Sequence, residues 1–310
     1  ISRAALNLAY DGSAVHLKRE SRASRTLVDG AELSGSVSFV PDALRRGVVL
    51  VLAHRVVLML REVPGEGGGT DLVGIESGLV GSSIYMRQLR SQIAAVAASE
   101  LDVLILGETG TGKDLVARAI HANSSRSGSP LVAVNMAAIP PELAPAALFG
   151  AAKGAFTGAD KATSGYFEQA AGGILFMDEV GDAPQDIQAQ LLRVLQQREV
   201  QVVGGRLRKL DFRVVAATDA ELDEGNDFKA ALRHRLGACE IHLSPLRDHP
   251  EDVGELLYFF LSQALGADLL QDSAGDRQCV ADWSALFAAF ARHDWPGNVR
   301  QLANYAQRVM

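Results

Sequence analysis

Cysteine is nearly missing: Cys239 and Cys279 are the only two in 310 residues. Two thiols exclude a disulfide scaffold, and the plain expectation is a pair of buried thiols in a reducing cytoplasm. Positive charge is also short. Thirty Lys and Arg stand against 37 Asp and Glu, a net charge of -7, so there is no overall basic footprint for nucleic acid. Any DNA contact must be local or come from a domain outside these residues. Long apolar runs are absent too. The longest, Val48 to Leu60, is interrupted by His54 and Arg55. It is too short to cross a bilayer and reads as two strands around a turn, so no membrane contact is expected. No signal peptide is visible, and no cluster of His and Cys has metal-ligand spacing. With Ile1 at one end and Met310 inside a helical pattern at the other, the chain is expected to be part of something longer.

What is present is an ordinary globular balance, 48% hydrophobic and 22% charged, arranged in three textures. Residues 1–63 read as all-β. Short alternating runs (Leu6 to Tyr10, Ala14 to Lys18, Val37 to Val40, Val48 to Leu52, Val56 to Leu60) are separated by Asp-Gly, Ser and Pro-Asp signals. Residues 64–78 open with Pro64-Gly65-Glu66-Gly67-Gly68-Gly69-Thr70, a flexible linker by composition. In residues 79–245 apolar runs at Leu101 to Leu106, Leu131 to Val134, Ile174 to Met177 and Phe212 to Ala217 alternate with helical stretches. That is the pattern of βα units around a parallel sheet. Residues 246–310 read as three helices, Glu251 to Leu265, Ala281 to Arg292 and Pro296 to Met310. Trp283 and Trp295 are expected in their core, and Pro296 near a first turn.

Three motifs carry chemistry. The first is Gly107-Glu108-Thr109-Gly110-Thr111-Gly112-Lys113, between a strand and a helix. Glycine lets several amides converge on one phosphate, the helix start adds partial positive charge, and Lys113 adds a full one. Asp114 follows, where a Ser or Thr hydroxyl usually meets magnesium. A glycine-rich turn without ligand is the plain alternative; the complete strand-loop-helix context argues for ATP. The second is Ile174 to Glu179, an apolar strand ending in two carboxylates. Asp178 is placed to hold magnesium, and Glu179 to orient or deprotonate the attacking water. The third is Gly154-Ala155-Phe156-Thr157-Gly158-Ala159. Glycines flanking one aromatic and one hydroxyl make a poor core segment and a good exposed contact loop. Arg233 and Arg235 close a basic segment that reads equally as a solvated helix end or as a source of charge for phosphoryl transfer.

These motifs, together with Phe228 to Leu236 and Trp295-Pro296-Gly297-Asn298-Val299-Arg300, resemble the central domain of the sigma-54-dependent transcription activators, NtrC-like AAA+ ATPases. The likeness runs from about Leu79 to Met310. It implies an α/β P-loop NTPase fold with a helical lid, ATP and Mg2+ as cofactors, and a homo-oligomeric ring, usually hexameric. It further implies that Phe156 and Thr157 grip sigma-54 within the RNA polymerase holoenzyme in the bacterial cytoplasm. By position it makes Asn135 the residue coupling Glu179 to nucleotide state, Arg235 the trans-acting arginine finger, Asp219 the first sensor and Arg300 the second. An acidic residue at Asp114 is normal there. Four positions depart from the pattern. Asp219 replaces Asn, and a carboxylate near the γ-phosphate is unwelcome unless protonated or turned away. Lys229 replaces an arginine, and Ala147 and Ala152 stand where acids are common. The alternatives left open are another AAA+ remodelling ATPase and a nucleotide-gated regulator without turnover. No helix-turn-helix is seen.

The front region resembles, more weakly, the later two-thirds of a forkhead-associated (FHA) domain, through Ile1-Ser2-Arg3, Leu27 to Gly30 and Leu44 to Val48. That likeness implies a β-sandwich reading phosphothreonine, with Ser2 and Arg3 as the phosphate contacts. Ala5 replaces its usual histidine.

Overall fold

The computed structural model describes residues 6–62, 78–155, 161–219, 230–265 and 277–309. Two compact units emerge. One joins Ile1–Thr70, Val80–Met86 and Pro245–Met310; the other holds Asp71–Leu79 and Arg87–Ser244.

In the first unit, β1 (Leu6–Tyr10), β2 (Val15–Arg19), β3 (Thr26–Val28), β4 (Ala31–Glu32), β5 (Ser36–Phe39), the one-and-a-half-turn helix α1 (Pro41–Arg46), β6 (Val48–Leu52) and β7 (Val56–Leu60) follow in order. They form two antiparallel sheets, β1-β2-β5 and β4-β3-β6-β7. Leu17, Leu33, Phe39, Leu44, Val48 and Leu50 make one core. The apolar run at 48–60 is indeed two strands, reversed at Ala53 and His54, both at φ 53°. Ser2 and Arg3 lie outside the described residues.

Helix α2 (Ile84–Ala97) leads to the second unit's strands. These are β8 (Val103–Gly107), β9 (Leu131–Asn135), β10 (Ile174–Asp178), the short hairpin β11 (Glu199–Gln201) and β12 (Leu207–Lys209), then β13 (Arg213–Thr218) and β14 (Cys239–Leu243). Between them run α3 (Lys113–Ala122), α4 (Ala144–Phe149), α5 (Tyr166–Gln169), α6 (Gln185–Gln197) and α7 (Ala230–Leu236). The sheet is wholly parallel, in the order β14-β8-β13-β10-β9. Every residue of β13 is buried, as expected for a strand covered on both faces. Each fully buried Leu, Ile or Val in such a core contributes about 1.5–3 kcal/mol. Cys239, expected to be buried, is only half-buried at the start of edge strand β14. Edge strands leave one side open to water, so the expectation is corrected.

Two buried charges fasten the amino ends of these strands. Arg213, 1% exposed, donates to the carbonyls of Leu101 and Val96, both at 2.8 Å. Asp102 accepts from the amide of Val214 at 2.9 Å and from Arg198 Nη2 at 2.7 Å. The carboxyl ends carry Gly107, Asn135, Asp178 and, one residue past β13, Asp219. Ligands of open α/β sheets gather at this edge, where strand order reverses around the first strand.

Helices α8 (Val253–Leu265), α9 (Arg277–Ala291) and α10 (Asn298–Val309) complete the first unit. Leu246, Val253, Leu256, Trp295 and Leu302 pack together. Buried Asn298 accepts from the amide of Leu246 at 2.8 Å, so α10 begins at Asn298 and not at Pro296. No described helix is long and apolar enough to cross a membrane.

Candidate nucleotide site

The loop from Gly107 to Gly112 needs glycine at three positions, for two reasons. Gly110 and Gly112 take φ of 82° and 97°, where a side chain is strained. At Gly107 a Cβ would stand 2.8 Å from Leu243 Cβ, because β14 pairs with β8 at that register. Thr111 Oγ1 donates to the Glu108 carbonyl at 2.8 Å and tightens the turn. Gly112 caps α3 without a side-chain bond. The first amides of that helix, backed by its dipole, therefore point to an anion site. Asp114 is exposed in the first turn, where an acid suits the dipole.

Lys113 is buried. Its Nζ donates to the Gly107 carbonyl at 2.8 Å and stands 3.8 Å from Glu179 Oε1. Asp178 lies opposite Asn135 in the β9–β10 ladder. Glu179 then adopts φ 52°, a left-handed turn costing a non-glycine residue about 1–3 kcal/mol. Strain of this kind concentrates where a side chain must be held in one place. Burial raises the Glu179 carboxyl above the ordinary glutamate range, with Lys113 opposing the rise. A more basic carboxylate beside a lysine suits proton abstraction from water.

Asp219 is the least expected member. Its amide donates to Glu179 Oε2 at 3.2 Å, and its carboxylate accepts from the Thr109 hydroxyl. That hydrogen bond, opposed by partial burial and helped by Lys113, holds Asp219 below the ordinary aspartate range. The carboxylate is thus ionised and engaged by the P-loop itself. Asn135, placed by resemblance as the partner of Glu179, accepts at Oδ1 from the amide of Ala138 at 3.2 Å and caps a short turn. Glu179 is held by Lys113 and the Asp219 amide.

Arg235 sits on α7 and turns inward. Its Nε and Nη2 donate to the Leu195 carbonyl at 3.2 and 2.9 Å, capping the end of α6, 3.9 Å from Asp102. Arg300 is exposed on α10, in the other unit. Lys229 lies outside the described residues.

The Gly154–Ala159 segment leaves the sheet region through a stem with main-chain bonds. Ala151 and Thr163 exchange two bonds, at 3.0 and 2.9 Å, while Ala152 donates to Val203 and Val203 to Gly150. At its root Gly150 (φ 82°) crosses Gly165 so closely that a Cβ on Gly165 would overlap Gly150 N and Leu148 O. The Ala151-to-Thr163 stem borders a cavity of about 680 Å3 with Lys153, Arg206 and Arg208 on its wall. Gly154 (φ 80°) and Ala155 begin the loop. Phe156, Thr157, Gly158 and Ala159 lie outside the described residues. Sequence reading missed the close crossing at Gly150 and Gly165; the signal was Gly165, a lone glycine just before a short helix.

Glycines admitting close backbone approach, an uncapped helix start and a buried lysine fit a nucleoside triphosphate. Two acceptors at the neighbouring strand end fit its magnesium and its water. Fold and site together define a P-loop NTPase with a parallel sheet. Residues 79–242 match the family described as the Sigma-54 interaction domain, and the chain belongs to that family. It is 45% identical over 235 residues to the DNA-binding transcriptional regulator NtrC of Rhizobium meliloti (strain 1021), covering 74% of this chain and 47% of that protein. It is equally identical over 235 residues to the anaerobic nitric oxide reductase transcription regulator NorR of Vibrio vulnificus (strain YJ016), covering 74% and 45%. The crystal structure of NtrX from Brucella abortus in complex with ADP superposes with TM-score 0.63 at 38% identity, over 76% of this chain and 52% of that one. The chain thus spans about half the length of the curated relatives it matches.

Proposed function

We propose that this chain is the ATP-hydrolysing core of an activator that remodels the sigma-54 RNA polymerase closed complex so that the promoter can open. The observation behind it is one α/β unit in which a P-loop, a carboxylate pair and the stem of the Gly154–Ala159 loop are built together. Lys113 and the amides at the start of α3 bind and orient the phosphates. Asp178 would hold magnesium, which spreads the phosphate charge. Glu179, raised in basicity by burial, takes a proton from the attacking water as it is aligned with the outer phosphorus. Arg235 from a neighbouring subunit of a ring, usually hexameric in this family, supplies transition-state charge once it leaves Leu195. Arg300 serves as second sensor, and Asn135 relays nucleotide state to Glu179. Phe156 and Thr157 contact sigma-54. DNA is reached through a domain outside these residues.

The test is steady-state phosphate release with open-complex formation beside it. Lys113→Ala and Glu179→Gln should abolish turnover, and Thr157→Ala should leave turnover but stop open-complex formation. Promoter opening by Thr157→Ala would sink the loop assignment. Asp219 motivates a second reading, a nucleotide-gated protein without turnover; release indistinguishable from Lys113→Ala would establish it. The forkhead-associated reading of residues 1–63 rests on the two-sheet architecture and the motifs around Ser2 and Arg3. Phosphothreonine-peptide titration against Arg3→Ala tests it, and equal binding by both proteins refutes it.

A further inference from the structure

Helix α6 ends on an oddity. Arg198, the residue that closes it, takes φ 55°, where glycine is the usual occupant. Its guanidinium lies over the ring of Phe212 at 4.8 Å, and its Nη2 donates to Asp102 Oδ2 at 2.7 Å. Its Nη1 is buried and makes no hydrogen bond among the described residues. Asp102, itself buried, has little left to offer. Its Oδ1 accepts from the Val214 amide at 2.9 Å, so Oδ2 alone remains for an arginine, and Arg198 holds it. Arg235 Nη2 stands 3.9 Å from that same oxygen, beyond hydrogen-bond reach. It settles on the Leu195 carbonyl instead, through Nε and Nη2 at 3.2 and 2.9 Å. Two arginines face one buried carboxylate, and one of them has it.

We propose that Arg198 is a positioning residue for Arg235: by occupying Asp102 it keeps Arg235 on a neutral carbonyl, from which it can depart for the phosphates of a neighbouring subunit. A hydrogen bond to a charged acceptor is roughly twice as strong as one to a neutral acceptor. An arginine captured by the carboxylate would stay, whereas one perched on a carbonyl leaves at lower cost. Nor is Asp102 stripped when Arg235 goes, because Arg198 remains on it; a buried acid without its partner is costly. The left-handed turn at Arg198 has a use in this arrangement, since it brings the guanidinium to Asp102. The proposal rests on the reading of Arg235 as the trans-acting arginine.

The test is steady-state ATP turnover by the whole chain across ATP concentrations. Arg198→Met keeps an apolar stem over Phe212 and removes the charge. Asp102 then draws Arg235 in from 3.9 Å to hydrogen-bond distance. That tightening should lower kcat about tenfold, with KM for ATP within about twofold of the parent. Asp102→Asn added to Arg198→Met removes the pull and should return kcat toward the parent, a rescue that simple damage to the fold does not permit. Arg198→Lys, which keeps a charge for Asp102, should hold most of the parent rate. Parent-like kcat in Arg198→Met, or a loss that Asp102→Asn does not relieve, overturns the positioning role. Should Arg198→Met not fold, Asp102→Asn alone decides: kcat at or above the parent supports the role, and a fall at unchanged KM overturns it. Arg235→Ala separates this proposal from the reading beneath it. Parent-like turnover in Arg235→Ala defeats the trans-acting arginine, and the proposal with it. A slow Arg235→Ala beside a parent-like Arg198→Met defeats the proposal alone.

Discussion

At Asp219 a carboxylate stands where the resemblance leads one to expect an amide. Its charge lies beside the P-loop, engaged by the Thr109 hydroxyl and set against Lys113. Asp219→Asn keeps an acceptor for Thr109 and leaves the backbone bond to Glu179 intact. It removes one negative charge near the outer phosphates, worth about 1.4 kcal/mol in a partly solvated site. ATP should then bind about tenfold more tightly, measured by titration of the Glu179→Gln protein with and without the change. Unaltered affinity would show that Thr109 already neutralises the effect. Lys113, Asp178 and Glu179 were legible because their chemistry is local to strand ends and short motifs. The Thr109–Asp219 and Arg235–Leu195 bonds were not, since their partners stand 110 and 40 residues apart. No pattern within a window of sequence reports them.

Elements show the same division. Strands β1, β6, β7 and β10 follow from alternating or β-branched runs. Strand β14, Cys-Glu-Ile-His-Leu, escaped notice because an edge strand is half polar. The β11–β12 hairpin escaped because its second arm, Leu-Arg-Lys, is fully exposed. Glycines separate the elements that tolerate change from those that do not. Gly165→Ala should cost about 1–3 kcal/mol through overlap with the 148–150 backbone, seen as a lower melting temperature. Gly254→Ala, inside α8 with only Phe287 Cδ1 at 4.0 Å, should add about 0.5–1 kcal/mol. A pH effect belongs to the junction of α2 and α8. Buried Asp252 accepts from Ser83 Oγ at 2.6 Å and His249 Nδ1 at 2.9 Å. Burial alone would raise its carboxyl, but the bonds from His249 and Ser83 outweigh it and hold it below 3.8. A depressed acid stabilises the fold above its unfolded value and loses that contribution as pH falls through the folded one. Urea midpoints should therefore drop below about pH 4, and Asp252→Asn should flatten that limb.

For the molecule as a whole, two compact units argue against a single unfolding transition. Calorimetry should resolve two. ATP at a hundred times its Kd should add about 2.7 kcal/mol to the transition of the unit holding Gly107 to Asp219, and Lys113→Ala should cancel that gain. Composition suggested three textures; the grouping of the front strands and the last helices into one compact unit was not visible there. Invisible too was the burial of Val49 and Val51 of β6 against α9, because pairing between distant elements leaves no periodic trace. A last consequence comes from Arg213 and Asp102. By riveting the amino ends of β8 and β13 to the chain beneath, they make the sheet a cantilever with its clamp far from the nucleotide. Load applied at the free tips cannot slide the strands lengthwise. It must leave sideways, through whatever hangs from the tips.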